Sequence, residues 1–256
     1  MRLPIVLSAS LLFASTTQAQ DLQQLMQQAM QKQGGGQVSV EENNDPYEPL
    51  GFTGSCRMEV HSFKNGQEQK DSPMHMDLAF TDDRMAMHPH IPKEDGDMRT
   101  VFDLKNKVMY TLMTDDRGER TGLKTKMMKV NVDDPSKEED RSKVVRTDET
   151  KVIDGHTCRK YTFKDEEGQG EAWVAEDLDF DLYRAFGRMS SGNKTQAWQD
   201  MPYQGLALET TWQDNAGSEK VVMYVRDLQT GSVDEAMFST QGYEVQDMTA
   251  MPMFGR

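Results

Sequence analysis

The segment Met74–His90, MHMDLAFTDDRMAMHPH, sets four methionines and three histidines around a short acidic turn. Thioethers and imidazoles are ligands for copper and zinc, so their placement decides what chemistry the segment offers. With Asp82-Asp83 as the tip of a hairpin, Phe80 faces Met85 and Leu78 faces Met87. The methionines then share an apolar face, while His75, Asp77, His88 and His90 share the other. Directly opposed Cβ atoms lie about 4.5–5.5 Å apart, close enough for imidazoles and a carboxylate to share a zinc or copper ion. In this register parity separates thioethers from imidazoles and so disfavours a mixed Met–His site within the hairpin. The plainer reading is a solvated face that carries histidines. A three-residue loop would flip one strand against the other and dissolve the set. Pro89 donates no ladder hydrogen bond and suits a strand end.

Methionine supplies 20 of the 256 residues. Flexible, polarizable side chains suit an adaptable apolar wall, here Met58, Met74, Met76, Leu78, Met85 and Met87, with Phe186 from a helix. Ordinary core filling is the alternative. Trp173, Trp198, Trp212, Tyr203 and Phe186 offer rim aromatics or simple packing anchors. Asp177, Asp179 and Asp181 resemble the start of a calcium loop, but Leu182 stands where such a loop needs glycine and Arg188 where it needs glutamate. The sequence contains no GxSxG, HExxH, P-loop or GxGxxG pattern. His156 and Cys158, two residues apart on a strand, sit about 7 Å from each other, poor geometry for a base and its nucleophile. The chain is expected to be non-catalytic and to need no cofactor.

The elements that position these residues are mostly strands. Phe52, Cys56, Met58 and Val60 alternate with polar residues, and Asn65-Gly66 marks a hairpin turn. Further strands are expected around VFD and VMYTLM, in HTCRKYTF and EAWVA, and over 205–212 and 220–226. Helical spacing over 177–189 puts Leu178, Leu182, Ala185, Phe186 and Met189 on one stripe. A short helical turn is expected over Val233–Phe238, and residues 131–142 read as a charged loop. Ahead of these, MRLPIVLSASLLFASTTQA has the basic start, apolar run and small-x-Ala ending of a secretory leader cleaved near Ala19. No lipid-anchor cysteine follows it. Residues 20–50 read as a Gln-rich amphipathic helix followed by a Gly-rich polar linker, and 51–256 as a single β-rich domain. No apolar run is long enough for a spanning helix, so an integral membrane protein is not expected. The formal charge of −14 disfavours nucleic acid and anionic membranes as partners. An exported chain with two cysteines, Cys56 and Cys158, is compatible with one disulfide between them or with two buried thiols. The fold class is α+β, mainly β: a strongly curved antiparallel sheet with one or two covering helices.

Three phrases carry a resemblance: VFDLKNKVMYTLM, TDETKVIDGHTCRKYTF with EAWVAED, and SVDEAMFSTQGYEVQDM. Together, over Phe52–Met248, they resemble a bacterial envelope family of unknown function related to the lipoprotein-sorting, LolA-like carriers. The resemblance implies a half-barrel whose hollow is closed by helices and, in the carriers, holds acyl chains. The expected role is therefore a periplasmic protein that binds a lipid or lipidated protein between sheet and helices. A metal-binding protein using the 75–90 hairpin is the alternative. An envelope scaffold docking through its Gln-rich helix is the third reading.

Overall fold

The computed structural model describes residues 37–90, 96–133, 143–164, 168–182, 185–186 and 203–250. The leader, the Gln-rich segment, Met189 and Trp198 lie outside them. Alternation of apolar and polar residues yields a mainly β architecture. In chain order the strands are β1 (Gln37–Glu42), β2 (Gly54–Lys64), β3 (Gln67–Glu68), β4 (Met74–Phe80), β5 (Arg84–His90), β6 (Gly96–Asp103), β7 (Val108–Asp115) and β8 (Arg120–Lys126). They continue as β9 (Met128–Asp133), β10 (Lys143–Ile153), β11 (His156–Lys164), β12 (Gly168–Ala175), β13 (Leu206–Asp214), β14 (Glu219–Thr230) and β15 (Glu244–Asp247). Thirteen form one sheet in the order β10-β11-β12-β13-β14-β2-β4-β5-β6-β7-β8-β15, with β3 paired to β2. The sheet is antiparallel except where β15 runs parallel to β8. Among the described residues it does not close into a barrel, and β10 and β15 are its edges.

Turn chemistry fixes the registers. Asn65-Gly66 and Asp154-Gly155 each place two successive residues at positive φ, the two-residue geometry whose twist matches that of the flanking strands. The β4–β5 tip closes by a hydrogen bond from Thr81 N to Arg84 O at 2.9 Å, and Phe80 stands opposite Met85. That is the register expected for a tip at Asp82-Asp83. The β5–β6 ladder ends at Met87–Thr100, so Pro89 lies where its missing N–H interrupts nothing on that side.

The main core joins distant parts of the sheet. Cys56, Leu78, Phe80 and Met85 from β2, β4 and β5 share a cluster with Ile153, Cys158, Ala175, Leu206 and Leu208 from β10–β13. The cluster runs on through Val225 of β14, along the concave face of the curved sheet. Phe180, Leu182 and Ala185 fill the space between. Phe180 stacks on Phe52 with centroids 4.0 Å apart and meets Phe80 edge-on at 4.9 Å.

A second core lies on the opposite face of β4–β7. Ala79, Ala86, Val101 and Leu112 are buried there under Phe238, with Tyr243 and Val245 packed alongside. A 3-10 turn over Glu235–Phe238, capped by Asp234, delivers Phe238, within the span expected for a helical turn. Arg99 holds this cover by donating to Ala236 O at 2.9 Å and Ser239 O at 2.8 Å.

Several expectations are corrected. Part of the linker, Gln37–Glu42, is a strand paired with β9, Val38 opposite Val132 and Val40 opposite Val130. Asn131–Asp133, expected within the charged loop, instead end β9; the rest of that expected loop, 134–142, lies outside the described residues. Helix starts at Leu182, not Asp177; the first helical hydrogen bond runs from Ala185 N to Asp181 O at 3.0 Å. Residues 177–181 instead form the turn that lowers Phe180 into the core. Cys56 and Cys158 are separate buried thiols, so the disulfide is absent. Burial pushes the Cys56 thiol up to about 12 and the Cys158 thiol up to about 11, which keeps both protonated and unreactive.

Candidate functional site

The β4–β5 hairpin carries two candidate surfaces back to back. On its methionine face, successive cross-strand rows run from sealed to open. Phe80 and Met85 oppose each other at 0% exposure, and Leu78, at 1%, sits beside a part-exposed Met87. In the next row Val225 faces Met58 and Met58 faces Met76; beyond it Met223 faces Val60 and Val60 faces Met74. Met58, Met74, Met76, Met87 and Met223 all remain part-exposed. The result is a lip of flexible thioether side chains rising from a dry core.

This arrangement divides the residues expected to line a cavity. Leu78 and Met85 are sealed inside the core and line no open space. Met58, Met76, Met87 and Phe186 pack against the core from its margin, and Met74 lies one row further out. Among the described residues, Phe52, Phe80 and Phe180 pack together between the sheet and the start of the helix. Beside them, among the described residues, lies a hollow of about 60 Å³ bordered by Leu50, Phe180, Ala185 and Tyr203, room for about two water molecules. Trp173 is a packing anchor, with Lys151 Nζ 4.4 Å from its ring centroid.

The opposite face of the hairpin gathers histidines and carboxylates. His75 opposes His90 and Asp77 opposes His88, as the register requires. His90 Nε2 meets Asp77 Oδ2 at 2.7 Å, and Arg57 Nε donates to Asp77 Oδ1 at 2.8 Å. Partial burial alone would raise the Asp77 carboxyl, but its hydrogen bonds from Arg57 and His90 prevail and hold it below the ordinary aspartate value. His88 Nε2 contacts Asp97 Oδ1 of β6. The His88 and His90 rings lie 4.7 Å apart. Asp77, His88 and His90 each offer a ligand atom within 4.8 Å of the others. His75 does not join them: its Nδ1 is buried and finds no hydrogen-bond partner among the described residues.

Two participants were not foreseen. Asp97 enters because β6, paired with β5 as far as Met87–Thr100, runs on beside His88. Next to the hairpin, His61 sits between Glu59 at 2.5 Å and Glu68 at 2.6 Å. Burial works to lower its pKa, yet the two carboxylates together raise it above the usual histidine value. Four of the five histidines thus lie on one side of β2, β4 and β5, because 61, 75, 88 and 90 have matching parity in the paired strands.

Comparison with known proteins adds a family. The family model described as "Domain of unknown function (DUF4412)" matches residues 52–242, nearly the Phe52–Met248 stretch that carries the resemblance. No curated protein matches the sequence. Similar solved structures include PNGF-II, 13% identical over 76% of this chain with a TM-score of 0.35. This chain spans 31% of that protein's length. Others are a Vibrio parahaemolyticus domain described as outer membrane lipoprotein-sorting (8% identity, 73% of this chain and 89% of that one, TM-score 0.22) and a DUF1329 family protein from Desulfovibrio piger (9%, 89% and 98%, 0.22). At such values none of them carries over an activity or a ligand. Among the described residues no helix is long and apolar enough to cross a membrane.

Proposed function

This chain belongs to the DUF4412 family, and we propose that it is a non-catalytic envelope protein that holds an apolar or lipidated ligand against its methionine lip. The observation that carries this reading is the graded burial of one sheet face. Leu78, Phe80 and Met85 are dry, while Met58, Met74, Met76 and Met87 stand part-exposed directly beside them. An acyl chain laid along the lip extends the existing core and gains about 0.8 kcal/mol for each methylene it buries. Unbranched thioether side chains adjust to chains of different shape at little cost. The ligand sits on the lip and not between sheet and helix, because Phe180 occupies that space. The secretory leader and the acidic mature chain suit a periplasmic carrier that meets its ligand away from anionic bilayer surfaces.

Native mass spectrometry of the mature protein, followed by displacement of a fluorescent fatty acid, tests the proposal. The expected result is a bound lipid or acylated peptide that Met58→Glu and Met76→Glu each displace without lowering the thermal midpoint by more than a few degrees. Absence of any bound apolar molecule, together with no uptake of the probe, overturns it.

A further inference from the structure

We propose that Asp77, His88 and His90 bind a divalent transition-metal ion of the zinc–copper(II) class on the face of the β4–β5 hairpin opposite the methionine lip. The donors are two imidazoles and a carboxylate, the set such borderline ions favour. All three come from one hairpin whose register is pinned by the Thr81–Arg84 closure, so their backbones are held independently of any ion. Their ligand atoms lie within 4.8 Å of one another. Tetrahedral zinc with bonds of about 2.0–2.2 Å needs donors about 3.3 Å apart, a contraction that side-chain rotation on part-exposed residues supplies.

The surroundings complete the case. Arg57, by its 2.8 Å bond to Asp77 Oδ1, fixes the carboxylate so that Oδ2 points to His90, the supporting role that orients a metal ligand. Asp97 touches His88 Nε2 from the neighbouring strand and so orients that imidazole, a supporting role like that of Arg57. Each imidazole ligates through a neutral ring nitrogen, and its tautomer leaves the other nitrogen free to keep a supporting hydrogen bond. His75, although opposite His90, stays outside the donor group; the set is Asp77, His88 and His90, supported by Arg57 and Asp97.

The test uses the mature chain stripped with EDTA and titrated separately with zinc sulfate, copper(II) sulfate and calcium chloride. Readouts are calorimetry, thermal unfolding and imidazole NMR signals. The expected result is one zinc or copper ion per chain, a raised thermal midpoint, and shifts at His88 and His90 while His156, paired with Asp177 at 2.9 Å elsewhere, stays in place. His88→Gln with His90→Gln should weaken binding at least 100-fold and Asp97→Asn about 10-fold, whereas His156→Gln should leave it unchanged. Unchanged stability and unchanged imidazole signals on zinc and copper addition overturn the proposal. So does binding that survives the double variant, or an equal response to calcium, which would mark a merely acidic surface. None of these outcomes depends on whether the methionine lip holds a lipid.

Discussion

Replacing Phe180 with alanine tests whether the turn after β12 is a structural plug. The ring is 5% exposed, and burying a phenylalanine side chain contributes about 3 kcal/mol. It also makes two aromatic contacts, stacked on Phe52 and edge-on to Phe80, each worth about 1 kcal/mol beyond area. The sum, about 5 kcal/mol, is at the top of the range of about 3–5 kcal/mol for Phe→Ala in cores. The small adjacent hollow lets neighbours relax, so we expect a loss of about 4 kcal/mol. With a urea slope of about 2 kcal/mol/M, the unfolding midpoint falls by about 2 M. Phe180→Leu, which keeps apolar fill but loses both ring contacts, should cost about 2 kcal/mol. A midpoint shift below about 0.5 M for the alanine variant would refute the plug and reopen the space between sheet and helix as the ligand site.

Other outcomes follow from single contacts. A Cβ on Gly170 would lie 2.2 Å from the Thr211 carbonyl oxygen and 2.5 Å from the Phe163 ring; Gly170→Ala should therefore lower the thermal midpoint far more than Gly155→Ala, which meets no atom within 4 Å and costs only its left-handed backbone, about 1 kcal/mol. Arg99→Ala should speed amide exchange across 233–245 and cost about 2 kcal/mol, because two charge-assisted bonds to that cover are lost. His61 has its pKa raised in the folded state, so its contribution to stability is complete below the ordinary value near 6.5 and disappears as pH rises through the folded value. Comparing the pH dependence of unfolding with that of His61→Gln should show the difference shrinking as pH rises; a difference that grows would contradict the Glu59–His61–Glu68 arrangement.

The hairpin register could be read from the sequence because alternation on both strands and an acidic tip converge on one pairing. That pairing alone brought Asp77, His88 and His90 together. Asp97 escaped because its strand begins in the polar GDMRT, where nothing alternates clearly. The β1–β9 ribbon was hidden by its flanks: two short Val-x-Val alternations, at 38–40 and 130–132, sit beside a glycine run and a charged segment. Their pairing is a long-range contact that no local signal announces. The onset of helix was misplaced because Leu178 and Leu182 have helical spacing, yet the chain uses Leu178–Asp181 to lower Phe180 into the core. The second core was missed because Ala79 and Ala86 look like spacers in an otherwise polar stripe. Their small size is what admits Phe238.

The two edges of the sheet differ in kind. At one end β15 has four residues, begins with Glu244 and ends with Asp247, which is paired to Lys124 at 2.9 Å; so short and charged a border discourages further strands. At the other, β10 is eleven residues long, shows Val145 at 51% and Val152 at 71% exposure, and is interrupted by a register shift between Arg146 and Thr150. Among the described residues that longer border is guarded not by brevity but by its own irregularity: the register shift breaks its run of free backbone groups, and Arg146, Asp148, Glu149 and Lys151 set charges of both signs along it.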